Sequence, residues 1–436
     1  MRDSSSRRRL AALAVGVLGA TLGVQGVGAQ SASGILLDEM ATVFAFGDSY
    51  TYDGYDPAIS LTDFKGIGNT STGGYNWVQY LTAPSSIYDP SESSFSPNHT
   101  LTLYDLAFSG ATTNNTIVTG SAGIPDFVAQ VTRFQQYFAA GQGNGTAVGR
   151  WSSSTTLFAL WFGINDIGFS YLQNKDLAAE LDAIFATWNR MIGLLYAAGA
   201  RNFLVLGVPP TQRTPLVRSY GDGAEAAFER NIGLYNTALT TFTSSLPSLY
   251  SGSRVALFDT QPFFNAILNS PEQYGFAEAD TYCDAYAVIM DQPEGSLAEC
   301  TWPLQEYVWW NAYHPTWPVH KLLALVLANT LSNPTSITTT STLAPSPTSS
   351  ANLSTTASAS EVTTLTTVLP SSFIPTTSLS ASGAGAETET VTASASVGRG
   401  GGDGSSGTGR TAQVGAAEAA WAAVAGAALA VLLVRR

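Results

Sequence analysis

The chain has 436 residues, of which 45 % are hydrophobic and only 12 % charged, and its formal net charge is −13. An acidic surface of this kind repels nucleic acid and anionic membranes, so neither is expected as a partner. Two cysteines and three histidines offer no zinc-ligand spacing, so no metal ion and no cofactor is expected.

Arg7, Arg8 and Arg9 precede a mostly apolar run from Leu10 to Val24, and Val27-Gly28-Ala29 supplies small residues for cleavage. Residues 1–29 are therefore expected to be a secretory signal. The run is too short and too Gly-rich to read as a membrane span. Removing Arg2, Arg7, Arg8, Arg9 and Asp3 with it takes the charge from −13 to −16.

Residues 34–331 are long enough for one large core. Short apolar runs in it read as buried strands: Thr42 to Phe46, Leu103 to Phe108, Thr156 to Gly163, Asn202 to Pro209 and Arg254 to Asp259. Helical patterns separate most of them. One begins at Ile124 and spaces Phe127, Val131, Phe134 and Phe138 by three and four. Others begin at Leu177, with Gly199 as its cap, and at Gly223. Cys283 and Cys300 are the only cysteines, and in an oxidising compartment they are expected to pair. A last helix begins at Pro318, a residue suited to a first helical turn.

From about Ser332 the chain is dominated by Ser, Thr, Ala and Pro, and no Lys or Arg occurs between Leu322 and Gly398. Such a segment cannot offset its ordering entropy and reads as a disordered, O-glycosylated stalk over 332–412. Asn-x-Ser/Thr triplets at Asn69, Asn98, Asn114, Asn144 and Asn352 suit a secreted glycoprotein. Residues 413–436 carry an apolar tail behind small residues and a short spacer. That order matches a GPI-anchor signal, and the rival is a membrane helix stopped by Arg435 and Arg436.

Strands alternating with helices imply a five-stranded parallel sheet covered on both faces, an open α/β/α sandwich. Sites in such sheets form beyond the carboxyl ends of the strands. Gly47-Asp48-Ser49 follows the first run, Ser109-Gly110-Ala111 the second and Gly163-Ile164-Asn165-Asp166 the third. A serine hydroxyl needs a base within hydrogen-bond reach and donors for the oxyanion it creates. Of the histidines, His99 sits in a glycosylation triplet and His320 in the opening turn of a helix, where it would cap or face solvent. His314, in a non-helical stretch before that helix, is the base by elimination; its bland alternative is a packed loop histidine. Gly110 N–H, the Asn165 side-chain amide and Ser49 N–H would supply three donors. Taken singly, Gly110 reads as a turn glycine and Asn165 as a turn or cap residue.

Together, Gly47-Asp48-Ser49, Gly110 after "DLAFS", Gly163-x-Asn165-Asp166 and His314 in "HPT" resemble the SGNH (GDSL) hydrolase family, in the family's order. The resemblance implies a flavodoxin-like sandwich and ester hydrolysis. It makes Ser49 the nucleophile, His314 the base, and Ser49, Gly110 and Asn165 the oxyanion hole. The segments "NWVQYL" at Asn76 and "VPP" at Val208 are similar to secreted fungal acetylesterases of carbohydrate esterase family 16. The expected partner is then an acetylated sugar or another small ester, met by a secreted, surface-tethered monomer.

One position departs from the family pattern. Asn311 stands three residues before His314, where the family has Asp, and an amide cannot stabilise an imidazolium as a carboxylate does. Two readings stay open: Asn311 or a nearby carbonyl orients His314 in a working dyad, or the chain is a weakened, glycan-binding relative. A lipase or phospholipase on the same machinery is the other alternative, although no mobile apolar lid is evident. Trp309, Trp310 and Trp317 around His314 suit either sugar stacking or core filling.

Overall fold

A computed structural model of the chain describes residues 34–59, 69–82, 101–139, 150–289, 295–332 and 363–365. The expected signal, the triplets at Asn98, Asn144 and Asn352, the C-terminal tail and all but four residues of the expected stalk lie outside these residues.

The five apolar runs form parallel strands: β1 (Thr42–Gly47), β2 (Thr102–Asp105), β3 (Thr156–Trp161), β4 (Asn202–Leu206) and β5 (Arg254–Phe258). Every residue of β1, β3 and β4 is buried, which is why the runs are continuous rather than alternating. A short β6 (Thr363–Leu365), from the Ser/Thr-rich stretch, pairs in parallel with β5. The order is β2-β1-β3-β4-β5-β6.

Eight α-helices occur among the described residues: α1 (Trp77–Thr82), α2 (Phe127–Tyr137), α3 (Ile164–Leu172), α4 (Leu177–Ala198), α5 (Pro215–Ser219), α6 (Asp222–Leu249), α7 (Thr260–Asn269) and α8 (Trp317–Ser332). The chain steps from β1 outward to β2, then back across β1 to β3, β4 and β5 in turn. Right-handed crossovers put the α1 connection on one face and α2, α4 and α6 on the other. The packing agrees: α2 contacts α4, α4 contacts α6, and α1 contacts α8. The reversal between β1 and β3 is the topological switch point, where such sheets open a crevice at their carboxyl edge.

Each expected helix is present, and specific caps set the ends of α2 and α4. Asp126 caps α2 by accepting Ala129 N at 2.9 Å, so the helix starts at Phe127 rather than Ile124. Gly199 ends α4 in a left-handed conformation. The α2 stripe of Phe127, Val131, Phe134 and Phe138 is fully buried. It packs with β1, where Phe44 touches Tyr104, Phe134, Phe138, Trp151 and Phe158. Helices α1 and α3 were not legible as helices, because nearly every residue in them is buried and no amphipathic stripe remains.

Candidate active site

Register places the loops. Gly47 of β1 lies opposite Trp161 of β3, so the residues two beyond each, Ser49 and Gly163, emerge side by side. Pairing between β1 and β2 continues past the strands, with Leu106 N donating to Ala45 O at 2.8 Å and Phe108 N to Gly47 O at 3.0 Å. That carries Gly110 to the same edge. From α2, the buried Gln130 grips the end of β1: its Oε1 accepts Gly47 N at 3.0 Å and its Nε2 donates to Gly47 O at 2.8 Å. A polar residue on the otherwise apolar, buried side of α2 was the signal for it.

Ser49 sits in a tight turn in which Asp48 O accepts Thr51 N at 3.0 Å and Tyr52 N at 2.9 Å. Its hydroxyl lies 2.7 Å from His314 Nε2. The imidazole Nδ1 lies 3.0 Å from Asn311 Oδ1. That same oxygen accepts Tyr313 N at 2.9 Å and His314 N at 2.8 Å. Two backbone donors identify it as the amide oxygen, so His314 Nδ1 must carry the hydrogen that faces it. A neutral imidazole has one N–H, which leaves Nε2 free to accept the Ser49 proton. Ser49, His314 and Asn311 thus form a connected chain of three side chains.

The turn that carries His314 is held from several sides. Trp310 N donates to His314 O at 2.8 Å, and Tyr50 O–H donates to Tyr313 O at 2.6 Å. The rings of Tyr50, Trp310 and Tyr313 surround the imidazole. His314 is 1 % exposed, and burial lowers it from 6.5 to about 3, so it is a neutral base through the acidic range. Trp309 and Trp310 are buried and Trp317 is half-buried, so the tryptophans near the base fill the core rather than offer an open sugar platform.

His320 is not a surface residue. It is buried, and its Nδ1 accepts Trp77 N at 3.2 Å, capping the start of α1. Burial also lowers it to about 3.

Gly163 adopts φ +114° as the N-cap of α3, and a Cβ there would lie 2.5 Å from Tyr235 Cε1. Only glycine turns β3 into α3 so abruptly, and the turn puts Asn165 and Asp166 in the first helical turn. Asp166 accepts Thr113 N at 3.0 and 3.1 Å and Thr113 Oγ1 at 3.2 Å, tying the Gly110 loop to α3. Asn165 Nδ2 lies 3.1 Å from Ala111 O and 3.2 Å from Asp48 Oδ2. Backbone N–H groups of Ser49 and Gly110 make no hydrogen bond among the described residues, and Gly110 holds φ +81°. Ser49 N, Gly110 N and Asn165 Nδ2 therefore come from three loops that meet at one edge.

Cys283 and Cys300 are bonded, with their Cα atoms 5.8 Å apart. Beside them Tyr286, Leu304, Tyr307 and Trp310 form a second small core, which links the disulfide lobe to the histidine turn. Of the described glycosylation triplets, Asn114 Nδ2 donates to Thr187 Oγ1 at 3.3 Å, and Asn69 packs against Gly54.

A family model described as GDSL-like lipase/acylhydrolase matches residues 43–327. An acetylesterase from Thermothelomyces thermophilus is 29 % identical over 313 residues, covering 69 % of this chain and 92 % of that protein. An acetylesterase from Hypocrea jecorina is 25 % identical over 333 residues, covering 68 % of this chain and 90 % of that protein. Among solved structures, the acetylxylan esterase Axe2 from Geobacillus stearothermophilus matches with a TM-score of 0.35 and 14 % identity, over 67 % of this chain and 96 % of Axe2.

Proposed function

Because the chain belongs to the GDSL-like lipase/acylhydrolase family, we propose that it is a secreted, surface-tethered serine esterase that removes acetyl groups from carbohydrates. It is a carboxylic ester hydrolase by family and by its acetylesterase relatives. The observation that carries the residue assignment is the 2.7 Å contact between Ser49 Oγ and His314 Nε2, with Asn311 fixing the tautomer.

Ser49 gives its proton to Nε2 as its oxygen attacks the ester carbonyl. The oxyanion that forms is taken up by Ser49 N, Gly110 N and Asn165 Nδ2, three donors carried to the same sheet edge. His314 passes the proton to the leaving alkoxide, and an acetyl group stays on Ser49. Water, deprotonated by the same Nε2, then releases acetate and restores the serine. Asn311 serves as a neutral acceptor: it orients the ring and leaves the transient imidazolium without a facing carboxylate.

Support for an acetyl ester comes from the two fungal acetylesterases, support for a carbohydrate from the resemblance of the segments at Asn76 and Val208 to carbohydrate esterase family 16, and support for secretion from residues 1–29 and the Ser/Thr-rich stretch. The test uses the full chain. Acetate release from an acetylated oligosaccharide and labelling by a fluorophosphonate are measured for wild type and Ser49→Ala. The wild type should do both, and the variant should do neither while melting at the same temperature. Turnover retained in a folded variant removes Ser49 from the role. A chain-length series of nitrophenyl esters that favours long acyl groups removes the acetyl preference.

A further inference from the structure

Asp48 takes no part in the proton path from Ser49 to His314, yet its fully buried carboxyl touches the site directly. Oδ1 accepts Tyr50 N at 3.0 Å and Oδ2 accepts Asn165 Nδ2 at 3.2 Å. The second hydrogen of the Asn165 amide goes to Ala111 O at 3.1 Å. The amide plane is therefore pinned at two points, one on the loop after β1 and one on the loop after β2, while its own backbone rides on α3. Both hydrogens are engaged, so an incoming oxyanion must share one of them in a three-centre bond. Sharing works only if the amide stays where its two acceptors hold it.

We propose that Asp48 is a positioning residue of this esterase site, whose carboxylate holds the Asn165 amide in register as an oxyanion donor. The inference rests on the hydrolytic reading above. Its physical core is an acceptor count. The carboxylate uses both oxygens as acceptors, and an asparagine of the same shape has only one. Whichever way that amide turned, an N–H would face either Tyr50 N–H or Asn165 N–H.

The same geometry ties the donor to ionisation. Desolvation raises Asp48 to about 7, the Tyr50 N–H pulls it back, and the Asp166 carboxyl on α3 pushes it up. Tyr50, Tyr235 of α6 and Tyr313 of the histidine turn also face it, and all three are raised so far that they stay neutral. Among the described residues, Asp166, itself raised to about 7, is the facing group that titrates in the same range. A carboxylate that accepts from Asn165 is thus gained as pH rises through about 7.

The experiment compares wild type, Asp48→Asn, Asn165→Ala and the double variant, as full chains, on nitrophenyl acetate from pH 5.5 to 9, with Ser49→Ala alongside. Asp48→Asn should lower kcat about thirtyfold with KM within about twofold, and Asn165→Ala should lower it about a hundredfold. The double variant should be no slower than Asn165→Ala, because both changes act through one amide. The rise of wild-type kcat around pH 7 should be absent from both single variants. Multiplying losses in the double variant, or a wild-type kcat and profile in Asp48→Asn, would overturn the proposal. If Asp48→Asn does not fold, Asn165→Ala decides alone: a pH rise that persists there means Asp48 acts elsewhere. Turnover in Ser49→Ala would instead point to failure of the serine assignment itself.

Discussion

Asn311 Oδ1 accepts three hydrogens at once, from Tyr313 N, His314 N and the His314 ring, at 2.9, 2.8 and 3.0 Å. The side chain that departs from the family pattern is therefore the hub of the histidine turn. It keeps the geometry of a carboxylate and gives up its charge.

Asn311→Asp restores that charge without losing an acceptor. A carboxylate beside the ring favours the imidazolium, so turnover at pH 8 should rise about tenfold, worth about 1.4 kcal/mol of barrier. The His314 titration, read from its Cε1 proton by NMR, should move up from about 3. A slower variant with an unmoved titration would show that the charge is not felt at the ring.

Stability should peak in mild acid. Asp48, Asp53 and Asp166 are raised to about 7, and Asp105 well above its usual value, all chiefly by burial. Folded values above the unfolded 3.8 mean that this stability is complete below 3.8 and is lost as pH rises through the folded values. His314 and His320, lowered to about 3, act oppositely: their contribution is present above 6.5 and is lost as pH falls toward 3. Four acids outweigh two histidines between these limits, so the folded state binds more protons there. The melting temperature should increase from pH 8 to about pH 5 and fall again below about pH 4. A monotonic increase up to pH 8 would contradict the balance.

Gly163→Ala should cost at least about 2 kcal/mol, because the new Cβ meets the Tyr235 ring at a left-handed φ. Relief of the clash has to shift the start of α3, and Asn165 with it. Urea unfolding and nitrophenyl acetate turnover, measured together, should both drop. A variant with wild-type values in each would mean that the turn has slack the structure does not show.

The disulfide should hold the lobe that carries the histidine turn. Cys283→Ser with Cys300→Ser should lower unfolding free energy by about 3 kcal/mol on the chain-entropy model. A thiol count on denatured, unreduced wild type should find none. Two free thiols in fresh protein would refute the pairing.

The sequence by itself determined the layers and the loops. Continuous apolar runs, helical spacing and glycine stops are local patterns, and burial on both faces writes them directly into the chain. Ser49, Gly110 and Asn165 could be set at one edge because each follows a strand, and His314 was reached by elimination, while the roles expected of them came from the resemblance to the SGNH family. What only the tertiary structure decided is who faces whom. Ser49 meets His314 across 265 positions, Asp48 meets Asn165 across 117, and Gln130 meets Gly47 across 83. Such pairs are set by strand register and by crossover handedness, neither of which leaves a mark near the residues involved. The role of Asn311 was undecidable for the same reason. Whether a neutral amide can orient the ring depends on a turn closed by Trp310 N and His314 O, and composition says nothing about that closure.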